Sequence, residues 1–377
     1  MKLSTYALIF AAAASGLAFG AATAYTTPVG YITVAVPANA DTTIAPSLSQ
    51  APLLQAASTG IAGDVITVAA TGAATDAFIN ALPDTNSKTY VLVITGPLAG
   101  LRYPVTANTA TTVTVNAGAT TLATQGFVSG NQIAVVPYWT LNTLFPAGAG
   151  VGQTSGDILN PSSWVLFSDQ TNVGANRGSS ALYIYWAGGP DSGGQGDFAA
   201  GWYIDGNPWD GTKDTVALDP AVMMTIRTTP ANSLTISGTV PSAPLATRLL
   251  TATETNDEYL ACPYPIDTSL GDSNLSSVVA AESADILNPT EFVFVYDDTA
   301  AGQNKAASAQ YMYWAGGTDP AQGDFAAGWY INGDPWSGVV TDKVLKAGRC
   351  FTVRKAAAGS ASSAIWTAAL PYSITAP

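Results

Sequence analysis

The chain has 377 residues, of which only 10% are charged, and 26 Asp and Glu against 13 Lys and Arg give a formal charge of −13. An acidic surface so poor in basic residues argues against nucleic acid and anionic lipid as partners, because both need basic patches. There is no histidine, which removes Ser-His-Asp and Cys-His catalysis and, with two cysteines, any ordinary zinc ligand set. The chain is therefore read as a non-enzyme with no metal and no cofactor.

Residues 1–24 come first. Met1-Lys2 is a short positive start, Leu3 to Phe19 is apolar, and small-residue patterns follow at Ala18-Phe19-Gly20 and Ala22-Thr23-Ala24. This is the layout of a secretory signal peptide. No later segment has the uninterrupted apolar length of a membrane helix. The mature chain is expected at the cell surface, outside the cell or in the periplasm, with no membrane span.

Residues 25–134 form the next section. Short alternating runs such as VGYITVAV from Val29, DVITVAA from Asp64, YVLVITG from Tyr90 and TTVTV from Thr111 predict strands, punctuated by turn residues such as Gly96-Pro97. This section is read as an N-terminal β domain.

The remainder is written twice. Asp157 to Gly211 and Asp285 to Gly338 share DILNP, a YIYW or YMYW run and QGDFAAGWY, with one residue fewer in the second copy. Units are assigned to 135–259 and 260–377. In each, an apolar run (Trp164 to Phe167; Phe292 to Tyr296) predicts a central buried strand. The following YIYW or YMYW places two tyrosines on one face and the tryptophan on the other. The fold class is all-β: an N-terminal β domain followed by two tandem duplicated β-sandwich or small-barrel units.

The runs PYWTLNTLFP at Pro137, NDEYLACPYP at Asn256, DDTAAGQNKAASAQYMYW at Asp297 and GRCFTVRK at Gly348 carry a resemblance. So do TPVGYITVAVP and ITGPLAGLRYPVTANTATTVTV. Together they resemble a paralogous family of secreted proteins of unknown function best known from Verrucomicrobia. The resemblance implies export, β structure and two tandem units, and supplies no catalytic residues. The chain departs from the family pattern in the long insertion after each YIYW or YMYW run.

That insertion carries the candidate site. Trp202, Tyr203 and Trp209 in the first copy, and Trp329, Tyr330 and Trp336 in the second, stand among acidic and amide side chains on Gly-rich loops. Exposed rings would stack on sugars; buried rings would close a core. Asp205-Gly206-Asn207 and Asn332-Gly333-Asp334 space oxygens as some calcium loops do. They lack the 12-residue pattern and its terminal Glu, and read as turns. Asp197 and Asp324 read as turn residues rather than glycosidase carboxylates. Arg177 and Lys305 are expected to pair with Asp169 and Asp297 or to be solvated. Cys262 and Cys350 align with Val136 and Met223, predicting two buried sites whose neighbouring strands would form a disulfide.

The expected function is a non-enzymatic surface or extracellular-matrix protein acting by self-association or adhesion, with itself or extracellular polysaccharide as partner. The alternative is carbohydrate binding through the insertion aromatics.

Overall fold

A computed structural model describes residues 28–79, 88–170 and 172–373. The segment read as a signal peptide lies outside the described residues. The described residues are nearly all β; the one α-helical turn among them, Leu141–Leu144, is capped by the Thr140 hydroxyl on the Thr143 amide, with the Thr143 hydroxyl accepting from the Thr140 amide in return.

Six strands between Leu54 and Pro137 close into a barrel. The strand Leu54–Ala62 does the closing. Its first half pairs with Gln132–Pro137 and its second half with Val65–Val68, with a register shift between Ser58 and Gly60 where it bends. Alternate residues point inward, so Ile66, Val91, Val105, Val113, Ile133 and Val135 fill the interior.

The section read as 25–134 divides at this barrel. Its first two strands belong with the first repeat: Val29–Val36 pairs with Asn232–Thr239, and Ala40–Ile44 pairs with Met224–Thr228. The same wiring occurs in the second repeat, where Leu245–Thr251 pairs with Ser362–Ala368 and Asn256–Ala261 with Cys350–Lys355. Each repeat is thus a two-stranded ribbon packed on a larger sheet. The first sheet runs, from one edge, Gly201–Ile204, Ser179–Trp186, Ser163–Ser168, Met224–Thr228 and Ala40–Ile44. The second runs Gly328–Ile331, Ala309–Trp314, Phe292–Val295, Cys350–Lys355 and Asn256–Ala261, with the short Ala281–Glu282 added parallel. In the first repeat Ile32, Val34, Leu234 and Ile236 of the ribbon close on Val165, Ile226 and Trp202 of the sheet. In the second Leu249 and Trp366 close on Val293, Phe351 and Trp329. The barrel is inserted between residues 44 and 139 of the first repeat, and its entry and exit are tied where the Gln50 amide donates to the Tyr138 carbonyl at 2.6 Å.

The two sheets meet through their Ala40–Ile44 and Asn256–Ala261 edges. Ala45 donates to the Gly348 carbonyl at 2.9 Å and Ala261 to the Ala221 carbonyl at 2.9 Å. Each repeat also sends a loop across. Asp257 N–H donates to Gly174 O, and Asp41 N–H donates to Gly302 O. Gly174 and Gly302 both have φ +126, a region side chains avoid, so the two crossings need glycine. A small apolar cluster of Ala45, Met223, Tyr259, Ala261 and Cys350 fills the seam.

Candidate functional site

The insertion begins where the tyrosine strand ends. Its first hairpin is held by one carboxylate in each repeat. Asp191 accepts from the amides of Ile158 at 2.6 Å and Gln195 at 2.9 Å, and Asp319 accepts from Ile286 at 2.7 Å and from Ala321 and Gln322 at 2.8 Å. These amides hold both carboxyls below the ordinary carboxylate range, chiefly through Gln195 for Asp191 and Ile286 for Asp319. The shared DILNP run is thereby explained, since its Ile amide is the clamp's donor.

The next strand, Gly201–Ile204 or Gly328–Ile331, is the edge of its sheet, yet its rings point inward. Trp202 is 0% exposed and Trp329 2% exposed. Trp202 lies 5.5 Å from the Tyr185 ring and 5.8 Å from Phe145; Trp329 lies 5.3 Å from Tyr313. Tyr203 and Tyr330 face the other side, buried with Trp186 and Trp314, and their hydroxyls donate to Ala199 and Ala326 carbonyls at 2.9 and 2.8 Å. Burial pushes both phenols up. Trp202, Tyr203, Trp329 and Tyr330 are therefore core residues and not ligand contacts. Alternation along a strand covered on both faces buries all four.

Trp209 and Trp336 are different. Each follows a proline in a 3-10 turn, Pro208–Asp210 or Pro335–Ser337, just past the edge strand. They are 58% and 60% exposed. Each turn is braced locally: Lys213 pairs with Asp210 at 2.8 Å, and the Ser337 hydroxyl donates to Asp334 at 2.5 Å. The structure thus keeps two of the six aromatic candidates available, at equivalent places. Both turns stand on the edge of their sheet away from the seam, four strands out, or about 19 Å of sheet on each side.

The polar candidates are structural. Gly206 (φ +76) and Gly333 (φ +81) make Asp205-Gly206-Asn207 and Asn332-Gly333-Asp334 tight turns. Among the described residues no group of three His, Cys, Asp or Glu side chains is placed to hold a metal ion. Asp324 accepts from the Thr318 hydroxyl within its hairpin, and Asp197 is exposed. Lys305 does bond near Asp297, but to its carbonyl, at 2.7 Å. Arg177 departs from expectation: its guanidinium reaches the Asp257 carbonyl of the other repeat and lies 5.3 Å over the Tyr259 ring.

The expected disulfide is absent. Cys262 and Cys350 are free, buried thiols. Cys350 is directly opposite Ala261 in the ladder, so Cys262, one residue further, faces the other side of the sheet. Cys262 packs in the second repeat's main core, and Cys350 sits in the seam, where its thiol donates to Ile44 O at 3.1 Å. The alignment of Val136 with Cys262 also fails, because Val136 belongs to a barrel strand. Burial pushes both thiols up.

Sequence reasoning missed the seam itself. Arg227 grips Asp41 with two bonds of 2.7 Å, and Arg354 grips Asp257 with bonds of 2.7 and 2.8 Å. The available signal was Asn176 and Asn304, one residue before each loop base at the 128-residue offset. No family model, curated protein or solved structure matches this chain.

Proposed function

We propose that this is an exported, non-enzymatic adhesion protein whose two contact points are Trp209 and Trp336, with extracellular polysaccharide as the ligand. The observation that carries the reading is the exposure of these two rings alone among the six insertion aromatics. A large apolar ring held out to solvent on a braced turn has no folding benefit, and an indole face is a stacking surface for the apolar face of a sugar. Export is supported by residues 1–24.

The placement of the rings favours adhesion over processing. They stand on opposite outer edges of two sheets joined at a seam, so each is suited to a separate strand of polymer. One ring contributes about 1 kcal/mol, too little alone, but two on one body gain from effective concentration. The purified mature protein is expected to be retained on insoluble polysaccharide. Trp209→Ala or Trp336→Ala should weaken retention, and the double variant should abolish it with an unchanged melting temperature. Retention unaffected by the double variant would remove this reading. If that variant instead abolishes concentration-dependent association in sedimentation, the same rings serve self-association.

A further inference from the structure

The chain contains six arginines, at positions 102, 177, 227, 248, 349 and 354. Three of them, Arg227, Arg349 and Arg354, pair with carboxylates. Among the described residues Arg102, Arg177 and Arg248 form no such pair. All three line one cleft of about 350 Å3, away from the exposed tryptophans.

The cleft is built where the barrel, the first repeat and the second repeat meet. One wall is fixed by close approach of two backbones: Ala246 donates to Gly100 O at 3.0 Å, and a Cβ on Gly100 would lie 2.6 Å from the Ala246 nitrogen. Beyond it, Arg248 is held by the Gln125 side chain at 2.5 Å and the Tyr103 hydroxyl at 3.3 Å, both of the barrel. Arg177 enters from the first repeat, stacked on Tyr259. These guanidiniums are positioned by neutral acceptors, so their charge is not cancelled by direct ion pairs.

The lining also includes the carboxyls of Asp219 and Glu258 and the amides of Asn172 and Gln170. Glu258 is buried, and it accepts from the Leu250 amide at 3.0 Å and from Asn256 at 2.6 Å. A ligand matched to this lining carries an anionic group for arginine and also donates hydrogen bonds to carboxylates. A bare inorganic anion meets only the first requirement and a neutral sugar only the second. The volume lies at the small end of the range for small-molecule pockets, about 300–1,000 Å3, and suits one residue rather than a chain.

We propose that this three-way cleft binds a single polyhydroxylated carboxylate, of the hexuronate class. The site is independent of Trp209 and Trp336.

Titration calorimetry of the full protein with glucuronate or galacturonate tests this, with glucose and inorganic sulfate as controls. Saturable binding of a uronate is expected, with weaker or no binding of glucose and sulfate. Arg102→Gln and Arg248→Gln should each weaken it about tenfold or more, the loss of a charge-assisted contact. The Trp209→Ala, Trp336→Ala double variant should bind the uronate unchanged, which separates failure of this site from failure of the tryptophan site. Should either arginine variant fail to fold, phenylglyoxal labelling of the wild type decides: the uronate should protect Arg102 and Arg248. Equal binding of glucose or sulfate, affinity unmoved in folded variants, or absence of protection would each overturn the proposal.

Discussion

Asn176 and Asn304 trade places across the seam. Asn176 lies in a loop of the first repeat and bonds the Arg354–Asp257 pair of the second, accepting from Arg354 at 2.9 Å and donating its amide to Asp257 at 2.6 Å. Asn304 does the same for the Arg227–Asp41 pair, at 2.8 and 2.7 Å. Both asparagines have positive φ, 54° and 52°, a conformation Asn tolerates better than most residues.

Removing Asp257 strands a partly buried guanidinium and the Asn176 backbone amide. Asp257→Ala should cost about 3 kcal/mol or more. Asp41→Ala should cost less, since its carboxylate is more open to water than that of Asp257. Because each loop completes the other repeat, both losses should appear in one shared unfolding transition. Urea unfolding followed by tryptophan fluorescence measures this, and independent unfolding of the repeats would contradict it.

The aromatic candidates separate by stability. Trp202→Ala and Trp329→Ala should each cost about 3–5 kcal/mol, the loss of a buried ring and the cavity left behind. Trp209→Ala and Trp336→Ala should stay within about 0.5 kcal/mol of the parent. Chemical denaturation of the four variants checks the contrast.

Two thiols should be counted by labelling the denatured, unreduced protein. In the native state both should react slowly, because each is buried and its thiolate disfavoured. A reductant should leave the melting temperature unchanged. A single disulfide found by mass spectrometry would contradict the geometry of the Ala261–Cys350 register.

Four carboxyls set opposing pH trends. Asp191 and Asp319 have lowered pKa values, so their contribution is present above about pH 4 and is lost as pH falls through the folded value. Glu258 and Asp298 are raised, mainly by burial; their contribution is complete below about pH 4 and is lost as pH rises through the folded value. Glu258→Gln keeps the acceptor for Leu250 and Asn256. It should raise the melting temperature at pH 7, with the gain vanishing near pH 4. Asp319→Asn should lower it at pH 7 and converge with the parent in acid. Melting curves at stepped pH test both signs.

The repeated cores were readable because identity survives there: DILNP and QGDFAAGWY sit on the clamp and the edge strand. The ribbon strands were not recognised as counterparts. VGYITVAV and LATRLLTA share only an alternation of buried and exposed positions, and the barrel from Leu54 to Pro137 separates the first from the rest of its repeat. The aromatics failed for a related reason. GWYI and NPWD both present a tryptophan beside polar residues, and only knowledge of what covers each face distinguishes Trp202 from Trp209. The cysteines were adjacent in the ladder as expected, but a one-residue offset reverses the face.

The interrupted first repeat also orders events in time. When a chain emerges from its N-terminus, Val29–Ile44 appears first but its partners, Met224–Thr239, arrive nearly two hundred residues later. The barrel is complete by Pro137 and can close while those two strands are still waiting. Contacts of such sequence separation are slow to form. The waiting strands offer unpaired edges throughout, the state in which a chain joins a neighbour of its own kind. Slow synthesis or a crowded exit would therefore endanger this protein through Val29–Ile44 more than through the later described strands.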